Sequence, residues 1–254
     1  MSIQYATDGP VALVTIDRPE VANAIDAPAA TELVDAFRRF EADDSLAVAV
    51  LSGTNQTFSA GADLKAMRSG DPARVTRVAA DGDGPVGPTR MLLAKPVIAA
   101  VEGHAVAGGL ELAIWCDLRV AARDAVFGVY CRRWGIPLMD GGTIRLARLI
   151  GHSHALDMIL TGRGVSGEEA HSMGLANRLV APGQALESAV TLAREIAERP
   201  QAALRSDRLS AYEQWSLSLD DALANEYRHG VATLETGEML TGLDRYASGA
   251  WRAG

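Results

Sequence analysis

The stretch Pro96-Val-Ile-Ala-Ala-Val-Glu-Gly-His-Ala-Val-Ala-Gly-Gly-Leu-Glu-Leu-Ala-Ile-Trp-Cys-Asp-Leu-Arg-Val-Ala121 carries the reading of the fold. Pro96–Val101 is a short apolar run with β-branched residues, the pattern of a buried strand. A glycine-rich turn follows, then a helix over Gly109–Cys116 and another strand at Leu118–Ala121. Working outward, Val11–Ile16 and Ala47–Leu51 read as further buried strands. Between them Leu33, Val34, Phe37 and Phe40 recur at helical spacing, behind Asp26 as cap and Pro28 in the first turn. Strand and helix alternate in this way along the α/β class. Residues 69–88 hold Gly, Pro and Asp with little apolar period, which predicts a mobile loop of the kind that covers sites. From Ser166 the pattern turns helical: Ser166-Gly-Glu-Glu169 matches a capping box, and amphipathic segments follow Pro182 and Pro200.

With 254 residues, 48% hydrophobic and 22% charged, the chain can bury a full core. A net charge of -8 argues against nucleic acid as partner, since that needs a concentrated basic face. Lys65 and Lys95 are the two lysines. Cys116 and Cys131 give neither a disulfide framework nor metal-ligand spacing. No basic-then-apolar leader and no apolar run of membrane-spanning length is visible, so a cytoplasmic protein away from membranes is expected.

Phe58-Ser-Ala-Gly-Ala-Asp-Leu-Lys65 and Gly103–Glu111 each follow a strand and offer small residues that let a ligand approach the main chain. The second turn opens a helix, where free N–H groups meet the positive dipole end. Brought together, the two turns could present two N–H donors to one oxygen, an oxyanion hole. Other meanings fail on spacing. Gly109 and Leu110 stand where a phosphate loop needs Lys and Ser/Thr, no G-x-G-x-x-G follows a strand, and neither G-x-S-x-G nor H-E-x-x-H occurs. Tight helix–strand packing without chemistry is the bland alternative.

Arg18-Pro-Glu-Val-Ala-Asn-Ala24, Phe58–Lys65, Gly103–Glu111 with Cys116-Asp117, Gly141-Gly-Thr-Ile-Arg-Leu146 and Leu160–Leu175 resemble the successive signatures of the enoyl-CoA hydratase/isomerase (crotonase) family. The likeness covers nearly the whole chain and weakens in the 69–90 loop and after Pro200. It implies a spiral of repeated ββα turns over residues 1–198, which bind and transform an acyl-CoA. Residues 199–254 would then be a helical oligomerisation region, forming a homotrimer or a dimer of trimers. It implies no metal or redox cofactor, coenzyme A being part of the substrate, with fatty acid metabolism as the setting. By motif position the oxyanion donors would be the amides of Ala62 and Gly108. Val21, Ala22, Ala60, Asp63 and Leu64 would lie along the coenzyme A, and Lys65 could approach its phosphates.

A thioester acidifies its α-proton, and the chemistry then needs a group to move a proton or hold water. Glu111 lies three residues after Gly108, on the same helix face, and matches the family's first catalytic glutamate. Its bland reading is complementing the helix N-terminus. Cys131 occupies the position where the resemblance puts a second glutamate, which places two-glutamate hydration in doubt. A small buried filler is the favoured reading, a thiolate near Arg132 or Arg133 the other. Asp140 reads first as the N-cap of a helix beginning at Gly141 and second as an inward acid paired with Glu111. His104 and Trp134 read as packing or pocket lining, and His152 with His154 as a weak metal signal. Hydration of a 2-enoyl-CoA is the first functional expectation. Double-bond isomerisation, another acyl-CoA reaction, or an inactive acyl-CoA-binding subunit stand behind it.

Overall fold

The computed structural model describes residues 2–249. The elements run β1 (Ile3–Asp8), β2 (Val11–Ile16), α1 (Ala27–Ala42), β3 (Val48–Gly53), α2 (Leu64–Ser69), β4 (Val97–Val101), β5 (His104–Val106) and α3 (Gly108–Trp115). They continue with β6 (Leu118–Ala122), β7 (Val126–Gly128), α4 (Gly142–Thr161), β8 (Gly164–Ser166), α5 (Gly167–Ser172), β9 (Arg178–Val180), α6 (Ala185–Ala197), α7 (Gln201–Glu213), α8 (Leu219–Glu235) and α9 (Glu238–Ala247). The chain divides into two compact units, Met1–Arg194 and Glu195–Gly254.

In the first unit a sheet of order β1-β2-β3-β4-β6-β9 is parallel except for the β1–β2 hairpin. β3 and β4 sit at its centre, and nearly every residue in them is buried, as parallel strands covered on both faces require. A second, smaller sheet has the order β5-β7-β8. Single bridges extend its row, Ser59 pairing with Ala105 and Ile25 with Ala62. Successive turns of chain therefore put one strand in the large sheet, a short strand or bridge in the second row, and then a helix. β2, Ile25 and α1 make one turn; β3, the 59–62 bridges and α2 make the next. β4–β5–α3 and β6–β7–α4 follow. This is the expected spiral of ββα turns.

Local signals explain the helices. Asp26 caps α1 by accepting from the Ala29 amide at 3.2 Å, and Leu33, Val34, Phe37 and Phe40 are its buried stripe. Ser166 accepts from the Glu169 amide at 3.1 Å, the first half of the expected capping box. The second half is absent among the described bonds, because the Glu169 carboxylate pairs with Arg163 instead. The hairpin strand β1 was not read from the sequence: Gln4, Thr7 and Asp8 break its apolar pattern, and it is an edge strand half-open to water.

The expected mobile loop needs a correction. Residues 71–83 are mostly exposed, but 84–89 are buried. Gly84 and Gly87 exchange backbone hydrogen bonds at 2.9 Å each, and this tight turn packs onto α1, where a Cβ on Gly87 would meet the Ala30 carbonyl at 3.0 Å. Compact turn chemistry mimics loop composition here.

The second unit is helical. Along α7 and α8, Ser206 donates to the His229 carbonyl at 3.1 Å and Glu213 meets the His229 ring at 2.8 Å. Residues 250–254 of the expected C-terminal region lie outside the described residues. No helix among the described residues is long and apolar enough to cross a membrane.

Candidate active site

The 59–63 turn is stitched to its neighbours on both sides. Ser59 donates to the His104 carbonyl at 2.8 Å, and its own carbonyl receives the Val106 amide at 3.1 Å. Ala60 donates to Ala22 at 3.0 Å, Ile25 to Gly61 at 2.7 Å and Asp63 to Ile25 at 2.8 Å. This ladder passes over the Ala62 amide. The opposite turn reaches Gly108 through Ala107, whose φ of 52° and ψ of −124° belong to a region open mainly to glycine. Such a conformation costs about 1–3 kcal/mol and is held by its surroundings. Ala107 donates to the Gly128 carbonyl at 2.8 Å and accepts from the Glu111 amide at 3.2 Å.

The two turns interlock at backbone distance. A Cβ on Gly61 would lie 2.6 Å from the Gly108 nitrogen, and one on Gly109 would lie 2.1 Å from the Ser59 carbonyl oxygen. A Cβ on Gly108 would sit 3.4 Å from the Ala62 nitrogen. Both amides thus border one small space, and among the described residues neither donates to a protein acceptor. Ala62 and Gly108 line a cavity of about 590 Å³.

Glu111 enters the same cavity from the first turn of α3. It is only 3% exposed, and its Oε1 accepts from the amides of Asp140 and Gly142 at 2.8 Å each. Burial pushes its carboxyl up to about 7; the Asp140 charge adds to this, while the Gly142, Asp140 and Met139 amides oppose it. A Cβ on Gly142 would meet Glu111 Oε1 at 2.8 Å, so a larger residue there would displace the carboxylate.

Asp140 corrects the first reading of its role. The N-cap of α4 is Gly141, in the left-handed region at φ 91°, and that turn sends the Asp140 side chain inward. Its Oδ1 accepts from the Val86 amide at 3.1 Å and the Thr89 hydroxyl at 2.5 Å. Burial raises its pKa, opposed by those bonds and by Arg90 and Arg145.

Cys131 is buried and lines the cavity. Burial, then the neighbouring Glu111 charge, raise its pKa, so the thiol is neutral and the thiolate reading falls. Trp134 lines the cavity while 68% exposed. His104 stays outside the lining, with its ring centroid 6.5 Å from that of Tyr130, and Arg133 stacks on the Tyr130 ring at 3.6 Å. No group of three potential metal ligands occurs among the described residues.

Val21, Ala22, Ala60, Asp63, Leu64 and Lys65 line this cavity as well. The Asp63 carboxylate is already committed: Oδ1 caps the Lys65 and Ala66 amides at 3.0 Å each, and Oδ2 meets Arg74 at 3.3 Å and Arg18 at 3.5 Å. Sequence reasoning missed Val86, Thr89 and Gly142. The Gly84-Pro-Val-Gly-Pro88 repeat of turn formers was the one available signal for the first two.

A solved structure of enoyl-CoA hydratase EchA1 from Mycobacterium marinum superposes with a TM-score of 0.91 at 35% identity, over 97% of this chain and 96% of that one. The fold is therefore the crotonase spiral. The family model described as enoyl-CoA hydratase/isomerase matches residues 6–249. A probable enoyl-CoA hydratase of Rhizobium meliloti (strain 1021) is 36% identical over 245 residues, 95% of this chain and 93% of its own. A carnitinyl-CoA dehydratase of Salmonella arizonae is 36% identical over 251 residues, with the same coverage of both chains. This chain belongs to the enoyl-CoA hydratase/isomerase family.

Proposed function

We propose that the protein is an enoyl-CoA hydratase, adding water reversibly to a 2-enoyl-CoA. One observation carries the reading: two unused amides, Ala62 and Gly108, border the space into which Glu111 is also turned. The thioester oxygen accepts from both amides. As water oxygen bonds to the β-carbon, its proton passes to a carboxylate and the electron pair moves onto that oxygen. A protonated carboxyl then returns a proton to the α-carbon. A donor of this kind is worth about 10²–10³ in rate, and a positioned acid or base about 10²–10⁴. A carboxyl held near 7 suits both halves of the step at neutral pH. Asp140 is the second carboxylate of the pair, and Cys131 a neutral wall beside Glu111.

Val21, Ala22, Ala60, Asp63 and Leu64 flank the coenzyme A of the substrate, and Lys65 approaches its phosphates. No separate cofactor enters the scheme. Residues 1–198 carry binding and catalysis, and the helices of 199–254 join copies into a trimer or a dimer of trimers. Exposed Leu219, Leu223, Tyr227, Leu240 and Leu243 support that, because apolar patches of this kind mark interfaces. Unpaired Cys116 and Cys131 suit the reducing cytoplasm.

Cys131 at the second-glutamate position favours a second reading, double-bond isomerisation through Glu111 alone. Incubation with 2-enoyl-CoA and 3-enoyl-CoA, beside Glu111→Gln, decides between them. A 3-hydroxyacyl product from the 2-enoyl substrate supports the hydratase. Migration of the double bond without water uptake supports the isomerase, and binding without turnover overturns both.

A further inference from the structure

Asp140 is held by a clamp built for one oxygen. The Thr89 hydroxyl and the Val86 amide both donate to Oδ1, which leaves Oδ2 for a ligand. Glu111 is held in a similar way, its Oε1 accepting from the Asp140 and Gly142 amides. The clamp is closely fitted: a Cβ on Gly84 would fall 2.0 Å from Thr89 Oγ1 and 2.5 Å from Asp140 Oδ1. Arg145 braces it from α4, donating to the Thr89 carbonyl at 2.7 Å and to the Asp140 carbonyl at 2.9 Å. Thr89 itself is 1% exposed and stands behind Asp140, outside the cavity lining.

We infer that Thr89 is a positioning residue. Its hydroxyl orients Asp140 so that the free oxygen serves as the second proton-handling group opposite Glu111, in place of the carboxylate that Cys131 does not supply. The inference rests on the hydratase reading and deepens it by naming what aims the second acid. The charged groups facing Asp140 are Glu111 from α3, Arg145 from α4 and Arg90 from the turn that carries Thr89. Cys131 faces Glu111 and stays neutral. The Thr89 hydrogen bond favours the ionised carboxylate, so its loss moves the Asp140 titration upward. Because the two acids interact, they titrate as a pair, and the shift is read in the macroscopic steps.

The test uses Thr89→Val, which keeps shape and removes the hydroxyl, and Thr89→Ser, which restores it. Two quantities are followed: the pH profile of kcat on a 2-enoyl-CoA, and the infrared titration of the Asp140 carboxyl, assigned by difference against Asp140→Asn. Thr89→Val should lower kcat roughly 10- to 100-fold, the scale of a misplaced catalytic group, with KM little changed. It should also move the Asp140 titration to higher pH, and Thr89→Ser should recover both. If Thr89→Val does not fold, Thr89→Ala carries the same comparison. An Asp140 titration and kcat profile that stay at wild type in a folded hydroxyl-free variant overturn the inference. Absence of turnover by the wild type would sink the hydratase reading instead, and the infrared titration would still decide the role of Thr89.

Discussion

At residues 62 and 108 the atoms proposed to act belong to the main chain, whereas at 111 and 140 they belong to side chains. The amides are aimed by neighbours with almost no side chain: Gly61, Ala107, Gly108 and Gly109 let two turns touch at backbone distance. The carboxylates are aimed by amides and a hydroxyl that arrive from far along the chain, Val86 and Thr89 for Asp140, and Gly142 for Glu111. The first region is fixed by what is missing and leaves little room for added atoms. The second is fixed by what is donated and is sensitive to each lost bond.

The comparison can be broken most sharply at the acids. Glu111→Gln keeps an oxygen for the Asp140 and Gly142 amides yet cannot exchange a proton, so kcat should fall by about 10²–10⁴ in a steady-state assay. In the cradle, Gly108→Ala places a methyl against Val86 and 3.4 Å from the Ala62 nitrogen, where the substrate oxygen would sit. A loss of about 10²–10³ in kcat/KM is expected, with an unchanged circular dichroism spectrum.

A pH-dependent stability difference sharpens the contrast. Burial raises the Glu111 carboxyl from 4.5 to about 7, so the folded state binds the extra proton between those values. Stability therefore falls as pH rises through that window, and the cost is fully expressed above 7. Glu111→Gln should match wild type in unfolding free energy at pH 4.5 and exceed it at pH 8 by up to about 3 kcal/mol, read by urea denaturation. The smallest effect belongs to Ala107. Ala107→Gly relieves a positive φ but adds chain entropy, and a net gain of about 1 kcal/mol in urea denaturation is expected.

The same division explains what could be read from sequence. Strand runs such as Pro96–Val101, the α1 stripe and the paired glycine turns are local patterns that pointed to the α/β class and to two facing turns, while the spiral came from the family resemblance. Val21, Ala22, Ala60, Asp63, Leu64 and Lys65, expected along the substrate, line the same cavity as Ala62, Gly108 and Glu111. The Asp140 clamp was hidden because its donors lie 54 and 51 residues away, in a segment whose glycines and prolines resemble a loose loop. Asp140 itself sits where a helix cap is common, and only the left-handed Gly141 turns it inward.

The most direct test is vibrational. An acyl-CoA that cannot be hydrated, labelled with ¹³C at its thioester carbonyl, is bound to the protein and its C=O stretch recorded. Two converging amides should lower that frequency relative to the free thioester in water, and Gly108→Ala should return it toward the free value. A bound carbonyl whose frequency equals that of the free thioester in the wild-type protein would contradict the account.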